Sequence, residues 1–253
     1  GSETVGYHIQ AAQPTKHVVL ELGGNAAAVV LADWSSDADL EWAATRIATF
    51  GNYQAGQSCV SVQRVLVDES VYERFVPLLV AKLEALKTGA PTDEDVQVGP
   101  VINDAAAARI QSWIDDAVAS GATLLAGGTR EGTTIAPTLL SDAPAEAKVS
   151  CEEVFGPVMT IAPVAGVDAA LAAVNDSRFG LQAGIFTHDL QIAFRAHREL
   201  VVGGVVIGDV PSFRADQMPY GGVKSSGLGR EGLRAAMTDL THDRVMVLTG
   251  LDL

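Results

Sequence analysis

The sequence predicts an α/β fold, a mostly parallel sheet covered on both faces by helices. Short continuous apolar runs, which mark strands buried on both faces, alternate with segments whose apolar residues recur every three to four positions, which mark helices. That alternation favours parallel pairing, because parallel strands need a long crossover and a helix supplies it. The 253 residues fit one large domain or two small ones, and contain no internal repeat, low-complexity tract or obvious linker.

Val18, Val19 and Leu20 form a first short strand and residues 27–31 a second, separated by Gly23 and Gly24. Asp37 and Asp39 suit a helix N-terminus, and Leu40, Ala43, Ala44, Ile47 and Ala48 follow on one helical face. Residues 62–67 predict a strand. From Ser70, the positions Val71, Phe75, Leu78, Leu79, Leu83 and Leu86 mark a long amphipathic helix, closed by Gly89 and Pro91. A helix over about 104–120 carries Ile110, Ile114, Ala117 and Val118 on one side and stops at Gly121. Further strands are expected at 122–126, 158–164, 184–187 and 205–208, and helices at 168–174 and 190–200. Gly and Pro cluster in 127–137 and 211–232. Residues 244–248 are β-prone with no later segment to pair with. An uncovered strand is a liability, so this run is expected to dock on another chain, in a homo-oligomer.

Composition narrows the function. With 17 Lys+Arg against 31 Asp+Glu the net charge is −14, which argues against nucleic-acid or anionic-membrane partners, since either needs a basic face. At 48% hydrophobic and 19% charged the chain can bury a core. No run of 18 apolar residues and no charged-then-apolar leader pattern occurs. Two cysteines, Cys59 and Cys151, cannot build a disulfide framework, so a reducing, cytoplasmic setting is expected. No CxxC, HExxH or clustered His/Asp set is present, and no metal is expected.

Two residues are candidates for chemistry. Cys59, in Gly56-Gln57-Ser58-Cys59, follows a polar, glycine-containing stretch (Gly51, Asn52, Gln54) that reads as a loop between helix and strand. A thiol there is placed as nucleophiles are; the alternative is a small packed residue. Cys151 fits the packed alternative, and Glu152 and Glu153 after it oppose a thiolate. Glu21 interrupts an apolar run just before Gly23-Gly24, so backbone can approach it closely and desolvation can raise its pKa toward that of a general base. Its alternative is an acid at a strand edge. His8, His17, His188, His197 and His242 show no signature of a Cys–His pair. Gly227-x-Gly229-x-x-Gly232 has the spacing of a dinucleotide fingerprint, but no strand leads into it and no βαβ unit encloses it, so it is rejected. Gly1-Ser2-x-x-Val5-Gly6 opens a helix whose free N–H groups could meet a phosphate.

In order and spacing, these tags together resemble the aldehyde dehydrogenase superfamily. They are Glu21-Leu22-Gly23-Gly24, Gly56-Gln57-Ser58-Cys59 and Glu153-Val154-Phe155-Gly156-Pro157, extended by Gly1-Ser2-x-x-Val5-Gly6, Asn175-Asp176-Ser177-x-Phe179-Gly180-Leu181 and Gly221-Gly222-Val223-Lys224-x-Ser226-Gly227. Arg64 also fits the family pattern. The resemblance implies that Cys59 attacks an aldehyde carbonyl to give a thiohemiacetal, that hydride passes to NAD or NADP, and that Glu21 activates the water that hydrolyses the thioester. Members that pass the acyl group to coenzyme A typically lack this Glu. The Cys59 N–H would be one oxyanion donor. Glu153 and Phe155 would hold the nicotinamide ribose, Leu22 would border the nicotinamide, and Gly1, Ser2 and Gly6 would lie near the pyrophosphate.

Two departures stand out. Asn25 occupies a position where many members have Lys. More consequentially, the family's chain is nearly twice as long, and the part resembling its first half is absent. The resemblance therefore implies the C-terminal, catalytic portion of the enzyme. Residues 1–22 would be a remnant of the dinucleotide-binding domain, 23–220 the catalytic domain, and 221–253 a return to the cofactor domain ending in an oligomerisation strand, in a dimer or tetramer. The competing reading is a non-catalytic assembly or scaffold module that keeps the fold, and NAD binding distinguishes the two. Phe213, Arg214 and Gln217 lie in the region that lines the family's substrate tunnel; Arg214 could meet an anionic group or form a surface ion pair.

Overall fold

The computed structural model describes residues 1–250 and 252. Helix α1 (Glu3–Ala12) comes first, followed by β1 (Leu20–Glu21), β2 (Ala26–Val30), α2 (Asp37–Asn52), β3 (Val62–Asp68) and α3 (Glu69–Glu84). The middle holds α4 (Asp104–Ala119), β4 (Thr123–Ala126), β5 (Arg130–Glu131), β6 (Thr134–Ile135), β7 (Thr138–Ser141), α5 (Lys148–Cys151) and β8 (Val158–Val164). Then come α6 (Gly166–Asn175), β9 (Phe179–Gly180), β10 (Gln182–Phe186), α7 (Leu190–Glu199), β11 (Gly204–Ile207), β12 (Val223–Lys224), β13 (Gly227–Leu228) and α8 (Leu233–Asp239).

Seven strands form one sheet in the order β11-β10-β2-β3-β8-β7-β4. Every pairing in it is parallel except that of the edge strand β4 with β7. Central strand β2, Ala-Ala-Ala-Val-Val, is buried throughout, because helices cover both faces of the sheet. On one face Leu40 and Ile47 of α2 and Phe75 and Leu79 of α3 pack with Val30, Val65 and Val67. On the other, Leu171 and Val174 of α6 and Ala196 of α7 pack with Val29, Leu31 and Ile185. Ile110 and Ile114 of α4 and Val149 of α5 enclose a third cluster with Leu140 and Val158. Asp37 and Asp39 lie in the first turn of α2, and Asp39 closes a capping box with Ser36: Ser36 Oγ accepts from the Asp39 N–H (3.1 Å) and Asp39 Oδ2 from the Ser36 N–H (3.2 Å).

The expected strands at 27–31, 62–67, 158–164, 184–187 and 205–208 correspond to β2, β3, β8, β10 and β11, with ends shifted by up to two residues. The run at 18–20 is strand only at its end, in β1, because its one ladder partner is the two-residue β13, returning from far along the chain. The Gly/Pro-rich stretch 127–137 contains the small hairpin β5–β6. Strand β7 directly after it was not expected: Thr-Leu-Leu-Ser is too short to show a period, yet all four residues are buried between β8 and β4. Helix α8 also escaped the pattern, since none of its residues is buried and no apolar stripe marks it. Residues 244–248 form no strand and pair with none of the described residues; Val245 and Met246 are 84% and 81% exposed.

The parallel strands begin at one end of the sheet, and the sequence's candidate residues gather there. Gly23 and Gly24 lead into β2, Cys59 into β3, and Glu153 and Phe155 into β8. At the carboxyl end, where open α/β sheets usually bind ligands, the loops after β2 and β10 are tied together. Asp33 Oδ2 accepts from Thr187 Oγ1 (2.7 Å) and the His188 N–H (2.7 Å), and Trp34 stacks on the His188 ring at 4.1 Å. Among the described residues no helix is long and apolar enough to cross a membrane.

Candidate active site

Cys59 sits at the end of a tight reversal. Helix α2 stops at Asn52 and passes into a 3₁₀ turn, Tyr53–Gly56. Within it Gln54 (φ 52°), Ala55 (φ 55°) and Gly56 (φ 69°) are successive left-handed residues. Gln54 and Ala55 carry a Cβ in that region, at a cost of about 1–2 kcal/mol each. Gly56 is required: a Cβ there would overlap the Gly156 carbonyl on the loop before β8. The turn is held by Gln57, whose Nε2 donates to the Gln54 carbonyl (3.0 Å) and whose Oε1 accepts from the Ile102 N–H (2.8 Å). Ser61 Oγ donates to the carbonyl of Gly51 (3.1 Å), tying the far side of the loop to the end of α2.

Glu153 is placed by three side chains that grip the backbone around it. Gln63 of β3 donates through Nε2 to the carbonyls of Val149 (2.9 Å) and Glu152 (2.7 Å), and its Oε1 accepts from the Val154 N–H (2.9 Å). Asn25 Nδ2 donates to the carbonyls of Ser150 (3.1 Å) and Glu152 (3.0 Å). Arg109 Nη2 donates to the Val154 carbonyl (2.7 Å). The Gly24 N–H then donates to Glu153 Oε1 (2.8 Å). Asn25, where a Lys was the common alternative, is thus a structural brace. Arg64 is another: its guanidinium donates to the carbonyls of Asn25 (3.2 Å), Ala173 (2.8 Å) and Val174 (3.1 Å).

Glu21 comes from β1, which pairs antiparallel with β13 so that Glu21 lies opposite Gly227. The Leu22 N–H donates to the Ser226 carbonyl (3.1 Å), extending that contact. Glu21 Oε1 is buried without a hydrogen-bond partner among the described residues. Burial, and secondarily the Glu231 carboxylate, push its carboxyl up to about 7, against the opposing pull of Arg214 and Arg230. Burial likewise pushes Glu153 up, partly offset by the Gly24 N–H.

The Cys59 thiol is half-buried, and burial pushes it up, aided by the carboxylates of Glu21 and Glu153 and opposed chiefly by the Tyr220 hydroxyl. Tyr220 Oη lies 3.2 Å from Cys59 Sγ. Cys151 is also a free thiol pushed up by burial, with Glu152 beside it, and lies away from the Cys59 cleft.

These elements enclose an open cleft of about 540 Å³, lined by Gly1, Ser2, Glu21, Leu22, Cys59, Glu153 and Phe155 among others. Seven of the eight site residues expected from the sequence therefore converge. Gly6 does not line the cleft: it is buried in α1 against Leu22, whose Cδ2 would lie 2.7 Å from a Cβ at that position. Ser2 caps α1, its Oγ accepting from the Val5 N–H (3.4 Å). Phe155 takes a left-handed φ of 50° and is 41% exposed. Gln54, Gln57 and Ser58 also line the cleft and were not singled out. Tyr220 was not expected at Cys59 either: its only sequence signal is an aromatic residue within the glycine-rich Pro219–Gly222 stretch, 161 positions away. Arg214 pairs with Glu231 (3.0 Å) and stacks on the Tyr220 ring. Among the described residues no cluster of three or more His, Cys, Asp or Glu is arranged to hold a metal.

A sequence profile of the aldehyde dehydrogenase family matches residues 1–246. The chain is 44% identical over 248 residues to a 3-sulfolactaldehyde dehydrogenase of Priestia megaterium, covering 98% of this chain and 51% of that protein. The structure of an NADP-dependent glyceraldehyde-3-phosphate dehydrogenase from Bacillus halodurans, complexed with NADP, superposes with a TM-score of 0.92 at 39% identity, over 98% of this chain and 51% of that one. Aldehyde dehydrogenase 21 from Physcomitrella patens, in complex with the reaction product succinate, gives 0.91 at 43% identity over 95% and 49%. The profile match over nearly the whole sequence, at this level of identity and with the same fold, makes the chain a member of the aldehyde dehydrogenase family, and it spans about half the length of the curated relatives it matches.

Proposed function

We propose that this chain carries the catalytic half of an NAD(P)-dependent aldehyde dehydrogenase that oxidises a small aldehyde to its carboxylic acid. The observation that carries this reading is the convergence of Cys59, Glu21 and Glu153 on one cleft from three separate places in the chain, the loop before β3, strand β1 and the loop before β8. A nicotinamide dinucleotide fits the residues present. Glu153 accepts the Gly24 N–H through Oε1 and has Oε2 to offer a ribose hydroxyl, Phe155 gives an exposed aromatic surface beside it, and Ser2 caps a helix N-terminus at the cleft. Glu153 and Phe155 would hold the ribose, Leu22 would border the ring, and Gly1 and Ser2 would face the pyrophosphate, with Gly6 packing the helix behind them. Bound there, the oxidised dinucleotide supplies a cationic ring and a two-electron acceptor.

The protein's own residues do the rest. The Cys59 sulfur, ionised, bonds to the carbonyl carbon while the C=O electron pair moves onto oxygen, where the Cys59 N–H would donate. In the resting chain burial and two carboxylates oppose that ionisation, so a donor or a positive charge nearby is needed. The thioester left after oxidation is hydrolysed with Glu21 as base. The carboxylate takes a proton from water, the water oxygen bonds to the acyl carbon, the C–S bond breaks, and the acid leaves a Cys59 thiolate. A carboxyl near 7 is suited to exchange that proton around neutral pH. The direct test assays the whole protein carrying this chain with a panel of small aldehydes and either NAD⁺ or NADP⁺, following the reduced nicotinamide and the acid product. Turnover with at least one aldehyde is expected; binding of neither dinucleotide would favour the scaffold reading.

The remaining readings concern organisation. The β1–β13 pairing supports a division in which residues 1–22 and 221–253 belong with the cofactor domain and 23–220 form the catalytic domain. Two free thiols suit a reducing, cytoplasmic setting. The exposed apolar run at Val245–Leu248 supports assembly into a dimer or tetramer through strand pairing. Deleting residues 244–253 from the whole protein is expected to lower its solution mass, by light scattering, to that of a single chain; an unchanged mass would rule the tail out as the oligomer contact.

A further inference from the structure

Tyr220 lies behind the candidate nucleophile, in a small apolar cluster with Val60 and Leu181 against which Cys59 packs. The ring is 4% exposed, and its Oη is 3.2 Å from Cys59 Sγ. Its placement is over-determined. The Tyr220 N–H donates to the Glu231 carbonyl (3.0 Å) and the Glu231 N–H to the Tyr220 carbonyl (2.6 Å). The Arg214 guanidinium stacks 4.3 Å over the ring and is itself tied to the Glu231 carboxylate at 3.0 Å. A buried phenol takes a hydrogen-bond partner, and here the partner is the sulfur.

The charged groups around this pair come from several elements. Glu21 faces it from β1 and Glu153 from the loop before β8, while Arg214 faces the ring and Glu231 and Arg230 stand near Glu21. Both carboxylates oppose ionisation of the thiol, and the tyrosine hydroxyl is the main group acting the other way. Burial, with Cys59 and Glu21 beside it, pushes the hydroxyl's own ionisation far above the ordinary phenol range, so it keeps its proton and remains a donor.

We propose that Tyr220 is a positioning residue whose hydroxyl donates to the Cys59 thiolate, stabilising the ionised nucleophile and fixing the sulfur at the cleft wall. The proposal rests on Cys59 being the nucleophile, yet it is testable without turnover. In the whole protein, Tyr220→Phe keeps the ring and its packing and removes only the donor. The pH dependence of iodoacetamide alkylation, read by mass spectrometry on the peptide containing Cys59, is expected to shift its midpoint upward by about one to two units, the size of a hydrogen bond to a charged group. The Cys151 peptide serves as the unshifted internal control, and kcat is expected to fall with little change in KM. An unmoved Cys59 midpoint overturns the proposal, whatever happens to turnover. If Cys59→Ala retained full activity while the Tyr220→Phe midpoint still rose, the hydroxyl's support of the thiolate would stand and the catalytic reading would fall instead.

Discussion

Replacing Cys59 by alanine in the whole protein is expected to lower kcat/KM for aldehyde oxidation by about 10⁴-fold or more, because no second thiol lines the cleft. The neighbouring hydroxyl, Ser58 Oγ, accepts a hydrogen bond from the Tyr53 hydroxyl, which draws on the lone pairs a nucleophile would use. The other thiol, Cys151, does not line this cleft. The fold should survive the change. Cys59 is only half-buried and packs against a three-residue cluster, so truncating its side chain removes little apolar contact. A thermal melt within a few degrees of the parent protein's, alongside loss of turnover, would separate chemistry from unfolding. Substantial residual oxidation in a well-folded variant would place the nucleophile elsewhere.

Glu21→Gln is expected to act on the second half of the cycle. Losing a positioned general base typically costs about 10²–10⁴-fold, and here the loss falls on thioester hydrolysis rather than on thioester formation. Acyl adduct should therefore accumulate on the Cys59 peptide when the variant is given aldehyde and dinucleotide, detected as added mass. A variant that turns over normally with no adduct would remove Glu21 from the mechanism. The pH dependence carries a second signature. With the carboxyl pushed up to about 7, hydrolysis in the parent protein should rise with pH through that value and level off above it, and the inflection should vanish in the glutamine variant. Stability runs the other way. Glu21's pKa is raised on folding, so the protonated form favours the fold; its contribution is complete below the ordinary carboxylate range and is lost as pH rises through about 7. Glutamine, which does not ionise, should narrow the stability gap between acid and alkaline solution.

Much of this could be read from the sequence by itself, for a physical reason. Strands covered on both faces must be apolar throughout, so β2, β3 and β8 announce themselves as continuous runs, and α2, α3 and α4 show the period of a buried stripe. Cys59 and Glu21 stood out because each breaks its surroundings, a thiol in a polar turn and a carboxylate in an apolar run, and the order of the surrounding tags pointed to the family. Short or unpatterned pieces did not register. Four residues of β7 cannot display a period, and α8 buries nothing.

What only the tertiary structure decided is what meets what. The cleft at the amino ends of the parallel strands is assembled by the strand order β2-β3-β8, which places the loops leading into these three strands side by side. That Gly6 packs rather than lines the cleft follows from which face of α1 meets Leu22. The charge state of Glu21 depends on a burial that the β13 contact helps to create, and the reach of Tyr220 to Cys59 depends on a return of the chain that no local pattern encodes. Local periodicity reports how each segment meets solvent, and the contacts between segments are fixed only when the whole core closes.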